Sequence, residues 1–183
     1  MKELSLNILD IAQNSISAGS SEIEISLCED ENSLLTLVIR DNGCGMSPEI
    51  LRNVTNPFYT TRTTRKVGLG IPLLKLAAEQ SGGSLSIEST TRADDPENCG
   101  TCITATFYTN SIDFTPIGDI VSTICVIIQG HPEIDYVFKH VTPKFEVLLD
   151  TKELRAVLGE GISLGESEII NWISDYLSQQ YNQ

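Results

Sequence analysis

Apolar and polar residues alternate along this chain with two different periods. From residue 3 to 18 the period is that of a helix. Leu4, Ile8, Ile11, Ala12 and Ser15 form one stripe, with Leu9 and Ile16 beside it. Glu3, Asn7, Asp10, Asn14 and Ser17 form a second, polar stripe with the same spacing, and Gly19 stands where a helix would stop. The period then shortens to two. "SEIEISL" (21–27) and "SLLTLVIR" (33–40) read as strands joined by the polar turn "CEDENS", which predicts a hairpin. Ser47 and Pro48 suit the cap and first position of a short helix. After a Thr- and Arg-rich stretch without apolar period, a helix is predicted from Leu69 to Gln80, closed by Gly82 and Gly83. "SLSIEST" and "TCITATFYT" then read as a second strand pair around the polar turn "RADDPENCG".

These elements predict an α+β fold over residues 1–110: a two-layer α/β sandwich with helices on one face of a mixed sheet. Beyond Ser111 the character changes, and a small C-terminal α/β unit of pattern αββαα is expected over 111–183. Its parts are a helix from Pro116 to Gly130 (its β-branched content leaves a strand open), a hairpin "EIDYVFKHV"/"KFEVLLD", a helix with Thr151 as candidate cap and Gly159 as stop, and a final amphipathic helix.

Charge and cysteine usage narrow the setting. The formal net charge is −13, a field that repels nucleic acid and anionic membrane, so neither is expected as a partner. No apolar run is long enough for a transmembrane helix, and the start lacks the pattern of a signal peptide. Five irregularly spaced cysteines predict free thiols in a reducing cytoplasm. The pair Cys99 and Cys102 is a lone CxxC and weak evidence for zinc. Within this acidic chain the segment between Glu49 and Glu79 has no acid, yet holds Arg52, Arg62, Arg65, Lys66 and Lys75. Such a window reads either as a solvated loop or as a local anion site.

Four short features carry candidate chemistry. Asp10 and Asn14 share a helical face one turn apart. An amide oxygen can ligate magnesium, and a nearby carboxylate can orient or deprotonate a water. At a strand exit, "DNGCGM" puts Asp41 where it could accept from an exocyclic amine, with Gly43 and Gly45 allowing close backbone approach. Gly68, Leu69 and Gly70 open a helix whose free N–H groups suit phosphate. The Walker and Rossmann patterns fail here, because the run "GLGIPLLK" lacks both the Gly-Lys-Ser/Thr ending and a third glycine. Gly100 and Thr101 enter the last strand, where the Thr hydroxyl could share a bridging water with Asp41. Taken singly, each also reads as ordinary structure: a solvent-facing stripe, a glycine turn, a strand threonine.

Together, in this order, the motifs resemble the GHKL superfamily of ATP-binding domains, which have the Bergerat fold. "DIAQNSISAG" is similar to the N box, "DNGCGM" to the first glycine box and "NPFYTTR" to the phenylalanine box. "KVGLGIPLLKLAAEQSGG" is similar to the second glycine box, and "GTCITATF" to the closing strand. The resemblance spans residues 3–109 and implies ATP and Mg2+ as cofactors. By it, Asn14 holds the metal, Asp41 reads adenine, and Gly43, Gly45, Gly68 and Gly70 let backbone wrap the nucleotide. Met46, Phe58, Leu69 and Thr101 fall within the same boxes as nucleotide-binding positions. Residues 56–67 correspond to a mobile ATP lid, whose Arg62, Arg65 and Lys66 meet the phosphates. Family members that hydrolyse ATP usually carry Glu where this chain has Asp10. Histidine kinases carry a helical segment with the phosphoacceptor His ahead of the N box; with the N box at residues 10–19 here, neither that segment nor autophosphorylation on His is expected. Two functions fit: an enzyme, either a slow ATPase or a serine/threonine kinase resembling anti-sigma kinases with Asp10 as base, or a non-catalytic ATP-responsive binding module. The acidic C-terminal unit suits a docking surface for a protein partner, or a homodimer surface.

Overall fold

A computed structural model describes residues 3–56, 69–159 and 161–182. In chain order the elements are α1 (Leu4–Ser17), β1 (Glu22–Glu29), β2 (Leu34–Asp41), α2 (Pro48–Asn53), α3 (Gly70–Gln80), β3 (Leu85–Thr90), β4 (Gly100–Tyr108), α4 (Ile120–Gly130), β5 (Asp135–Val141), β6 (Glu146–Asp150), α5 (Thr151–Leu158) and α6 (Ser167–Tyr181). The three hairpins expected from the alternating runs all form, as β1–β2, β3–β4 and β5–β6. They join into one six-stranded sheet of order β3-β4-β2-β1-β5-β6. The sheet is mixed because β5 lies parallel to β1, with Ile25 opposite Phe138. The C-terminal αββαα unit is therefore built onto the same sheet as the N-terminal hairpins.

Alternation decides where the core sits. Ile23, Ile25 and Leu27 of β1, Leu35, Leu37 and Ile39 of β2, Ile103, Ala105 and Phe107 of β4, and Phe138 of β5 all point one way and are buried. Helices α1, α3, α4 and α6 cover that face, with α1 flanked by α3 and α4. The other face carries Glu24, Thr36, Arg40 and Lys139 among its residues, in the inward-apolar, outward-polar pattern of a half-solvated sheet.

Helix α1 buries its apolar stripe, including Ser15, as the period predicts. It also buries Asn7, from the stripe expected to be polar; α4 packs against α1, and the Asn7 Nδ2 has no hydrogen-bond partner among the described residues. No side chain caps its start. Instead the N–H groups of Leu4 and Ser5 donate to the carbonyls of Pro116 and Ile117, both at 2.8 Å. This explains why α4 begins later than the sequence suggests. Residues 116 and 117 are occupied as a cap for α1, and Asp119 caps α4 by accepting from the Ser122 N–H. A second cap also differs from expectation. Asp150, rather than Thr151, caps α5, accepting from the N–H groups of Lys152 and Glu153. Thr151 is buried, and its hydroxyl accepts from the Tyr136 N–H at 2.7 Å, tying α5 to β5.

At the far edge of the sheet the Gln180 side chain bonds both sides of one residue of β6. Its Oε1 accepts from the Leu148 N–H at 2.9 Å and its Nε2 donates to the Leu148 carbonyl at 3.2 Å. Beside it, His140, Phe145 and Tyr181 pack edge to face, and His140 Nδ1 lies 2.8 Å from the Tyr181 hydroxyl. Burial pushes the Tyr181 phenol up and the His140 imidazolium down, so both sit neutral. Among the described residues no helix is long and apolar enough to cross a membrane.

Candidate functional site

The site residues converge where α1, the exit of β2 and the start of α3 meet. Asp41 ends β2 opposite Thr101 of β4 and Ile23 of β1. Its inward side chain is held on both oxygens. The Ser15 hydroxyl donates to Oδ2 at 2.7 Å, and the Gly43 N–H donates to Oδ1 at 2.9 Å. Each oxygen keeps a further lone pair, so the fixed carboxylate can still accept from another N–H. Ser15 is itself buried on α1, one residue beyond Asn14, and its carbonyl accepts from the Ser20 hydroxyl. One helix thus carries Asp10, Asn14 and the residue that orients Asp41.

Asp10 and Asn14 lie on the flank of α1 that meets α3. A Cβ built on Gly70 would stand 3.2 Å from the Asp10 Cβ, 3.8 Å from Asp10 Oδ2 and 3.9 Å from Asn14 Nδ2. The glycine lets the start of α3 come this close. Leu69, at the N-cap, gives no side-chain hydrogen bond to the first turn, and Pro72 within that turn has no N–H. The N–H groups of Gly70 and Ile71 therefore head a helix without a side-chain cap from Leu69, beside a carboxylate and an amide.

The first glycine turn is braced by the chain itself. Asn42 Oδ1 accepts from the N–H groups of Ser21 and Glu22, and the Cys44 N–H donates to the Ala18 carbonyl. Gly43 has no room for a side chain: its Cβ would stand 2.7 Å from Ser20 Oγ and 2.8 Å from Ala18 Cβ. Gly45 has φ +70, and a Cβ there would overlap the Thr90 carbonyl. Both glycines are thus needed by packing within the protein, whatever else approaches the turn. The Met46 N–H donates to Ser89 Oγ at 2.8 Å, and that hydroxyl lies 2.9 Å from both the Gly100 carbonyl and the Thr101 hydroxyl. Donating to Gly100, Ser89 can accept from Met46 and from Thr101, which locks the Met46 backbone to β4.

Structure thus brings Asp10, Asn14, Asp41, Gly43, Gly70 and Leu69 around the junction of α1, β2 and α3, with Gly45, Met46 and Thr101 on its β3–β4 side. Phe58, Arg62, Lys66 and Gly68 lie outside the described residues, as do Arg65 and most of the expected lid. Ser15 and Ser89 were not among the expected site residues. The only sequence signal for Ser15 is a hydroxyl inside an apolar stripe, and Ser89 has none beyond its place on an alternating strand. A cleft of about 400 Å3 borders the same strand ends, lined by Glu24, Arg40, Glu88, Cys99 and Cys102 among others. All five cysteines are free, and among the described residues no group of three His, Cys, Asp or Glu is arranged to hold a metal.

Residues 1–111 match the family model described as histidine kinase-, DNA gyrase B- and HSP90-like ATPase. A putative sensor protein of Shewanella frigidimarina is 33% identical over 86 residues, covering 45% of this chain and 13% of that protein. Sensor protein SrrB of Staphylococcus aureus is 34% identical over 94 residues, covering 49% of this chain and 16% of its own length. The chain therefore spans well under a fifth of these relatives. In fold, it is similar to the N-terminal domain of a DNA repair protein (TM-score 0.59, 20% identity, 88% of this chain and 58% of the other). It is also similar to the Aquifex aeolicus MutL ATPase domain complexed with ADP (TM-score 0.53, 12% identity, 98% and 70%). The chain belongs to the histidine kinase-, DNA gyrase B- and HSP90-like ATPase family and carries its ATP-binding domain.

Proposed function

We propose that this domain binds ATP together with magnesium and hydrolyses it slowly, with Asp10 as the base. The observation that supports this most is the juxtaposition of Asp10 and Asn14 with Gly70 at the start of α3, while Ser15 of the same helix holds Asp41. In this reading Asp41 accepts from the adenine amine, using the lone pairs that Ser15 and Gly43 leave available. The N–H groups of Gly70 and Ile71 meet phosphate oxygens, helped by Arg62 and Lys66. Met46, Phe58, Leu69 and Thr101 border the nucleotide. The donor set suits magnesium. One amide oxygen from Asn14 with a carboxylate a turn away is thin for a protein cage, but fits an ion that keeps waters and takes its other ligands from phosphates. Magnesium, when bound, would neutralise charge on the transferring phosphoryl group. Asp10 then holds a water by one carboxylate oxygen and takes its proton as the water oxygen bonds to the γ-phosphorus and the bond to ADP breaks. Asp is one methylene shorter than Glu, so slow turnover is the expected consequence of having it as the base.

A single-turnover assay with γ-labelled ATP tests this. Free labelled phosphate, lost in Asp10→Asn while ATP affinity stays within about threefold, is the expected result. Label on a partner protein's Ser or Thr instead would make the domain a kinase. ATP binding with no release or transfer would make it a nucleotide-responsive module.

A further inference from the structure

The strongest feature outside the nucleotide site is the outer stripe of α6. Its inner side is anchored: Ile173 and Leu177 are fully buried, and Gln180 bonds to β6. Its outer side presents Glu168, Asn171, Trp172, Asp175, Tyr176 and Gln179, all exposed. Trp172 and Tyr176 stack, with ring centroids 5.0 Å apart and planes 11° from parallel, although Trp172 is 48% and Tyr176 38% exposed. Two large aromatic planes are thus held in register on the surface by a packed helix, with little freedom left to lose on binding. The charge carried by this helix has one sign. Glu168 precedes Trp172 by one turn and Asp175 follows it, while no Lys, Arg or His occurs anywhere after Arg155.

We propose that this stripe docks an arginine-bearing segment of a partner protein. A guanidinium is planar, stacks on an indole or phenol face, and pairs with a carboxylate through its fork of N–H donors; the stripe offers both within two turns. An anionic partner such as nucleic acid or an acidic membrane meets only repulsion here. Exposed aromatics of this kind are typical anchors of interfaces.

Trp172 is the chain's one tryptophan, so its fluorescence reports on the stripe directly. The full chain, without nucleotide, is titrated with a blocked Gly-Arg-Gly-Arg-Gly peptide and with its citrulline counterpart, which keeps the planar shape and removes the charge. The arginine peptide is expected to give a saturable change that weakens with added salt, and the citrulline peptide to bind roughly three- to tenfold more weakly. The double variant Glu168→Gln/Asp175→Asn, which alters only exposed side chains, is expected to weaken the arginine peptide by a similar factor and flatten its salt dependence. No saturable change, equal binding of both peptides, or indifference to the double variant would overturn the proposal. So would concentration-dependent self-association that alone accounts for the Trp172 signal, since the face would then belong to a second copy of this chain.

Discussion

Removing the Ser15 hydroxyl tests whether α1 fixes Asp41, the proposed acceptor for the adenine amine. In Ser15→Ala, Asp41 loses the 2.7 Å bond to Oδ2 and keeps only the Gly43 N–H on Oδ1. A hydrogen bond to a charged acceptor contributes about 1.5–3 kcal/mol. Asp41 is only partly buried, so water replaces some of that, and a loss of about 1–2 kcal/mol in unfolding free energy is expected. If the bond also fixes Asp41 for adenine, a similar loss appears in ATP affinity, about five- to thirtyfold. Urea denaturation of Ser15→Ala, Asp41→Ala and the double variant closes a thermodynamic cycle, with a coupling of about 1–2 kcal/mol expected. Additivity within about 0.5 kcal/mol would refute the idea that the two side chains act as a unit. Unchanged ATP affinity in Ser15→Ala, with coupling intact, would refute the step from held carboxylate to base recognition.

Other perturbations probe separate parts. Asn14→Ala is expected to weaken magnesium-dependent ATP binding about tenfold or more while leaving the far-UV spectrum intact, and calorimetry with and without magnesium reads this directly. Gly45→Ala places a side chain at φ +70 against the Thr90 carbonyl and should cost roughly 2–4 kcal/mol, seen as a lower urea midpoint; an unchanged midpoint would show that the turn can relax. His140 is held below its ordinary value of 6.5 by burial, Glu29 opposing weakly, so the unfolded chain binds the extra proton first. Its share of stability is complete above about pH 6.5 and is lost as pH falls from there toward the lowered folded value; an NMR titration placing His140 at or above 6.5 would contradict this. Cutting the chain after residue 110 removes β5 from β1 and α4 from α1, and the fragment is expected to show poorly dispersed NMR signals and no ATP binding.

Periodicity gave access to what is local. The buried stripe of α1 and the three hairpins were legible because each rests on a repeat of 3.6 or 2 and a polar turn. The parallel pairing of β1 with β5 was not, because it joins distant segments and leaves no local mark in either. Caps failed for a related reason. Pro116 and Thr151 are good helix starters by residue type, but their backbone and hydroxyl are spent on α1 and β5. At the site, the spacing of Asp10 and Asn14 and the order of the boxes pointed to segments that the fold brings together. They could not show that Ser15 holds Asp41, because a serine in an apolar stripe looks the same whether its hydroxyl is tied to a carboxylate or merely buried. Nor could they tell that Gly43 and Gly45 are required by the protein's own contacts, since a glycine that admits a ligand and one that avoids Thr90 read alike.

The bond pair from Gln180 to Leu148 has a consequence for assembly. A strand at the end of a sheet is a template for another chain, and here a side-chain amide stands in for the missing neighbour at the middle of β6. Sheet extension from that end must first evict Gln180, which loosens the last turn of α6 next to Tyr181 and His140. Strand-to-strand association at the β6 end is therefore tied to the seating of the C-terminal helix, so that whatever loosens the last turn of α6 also exposes that edge.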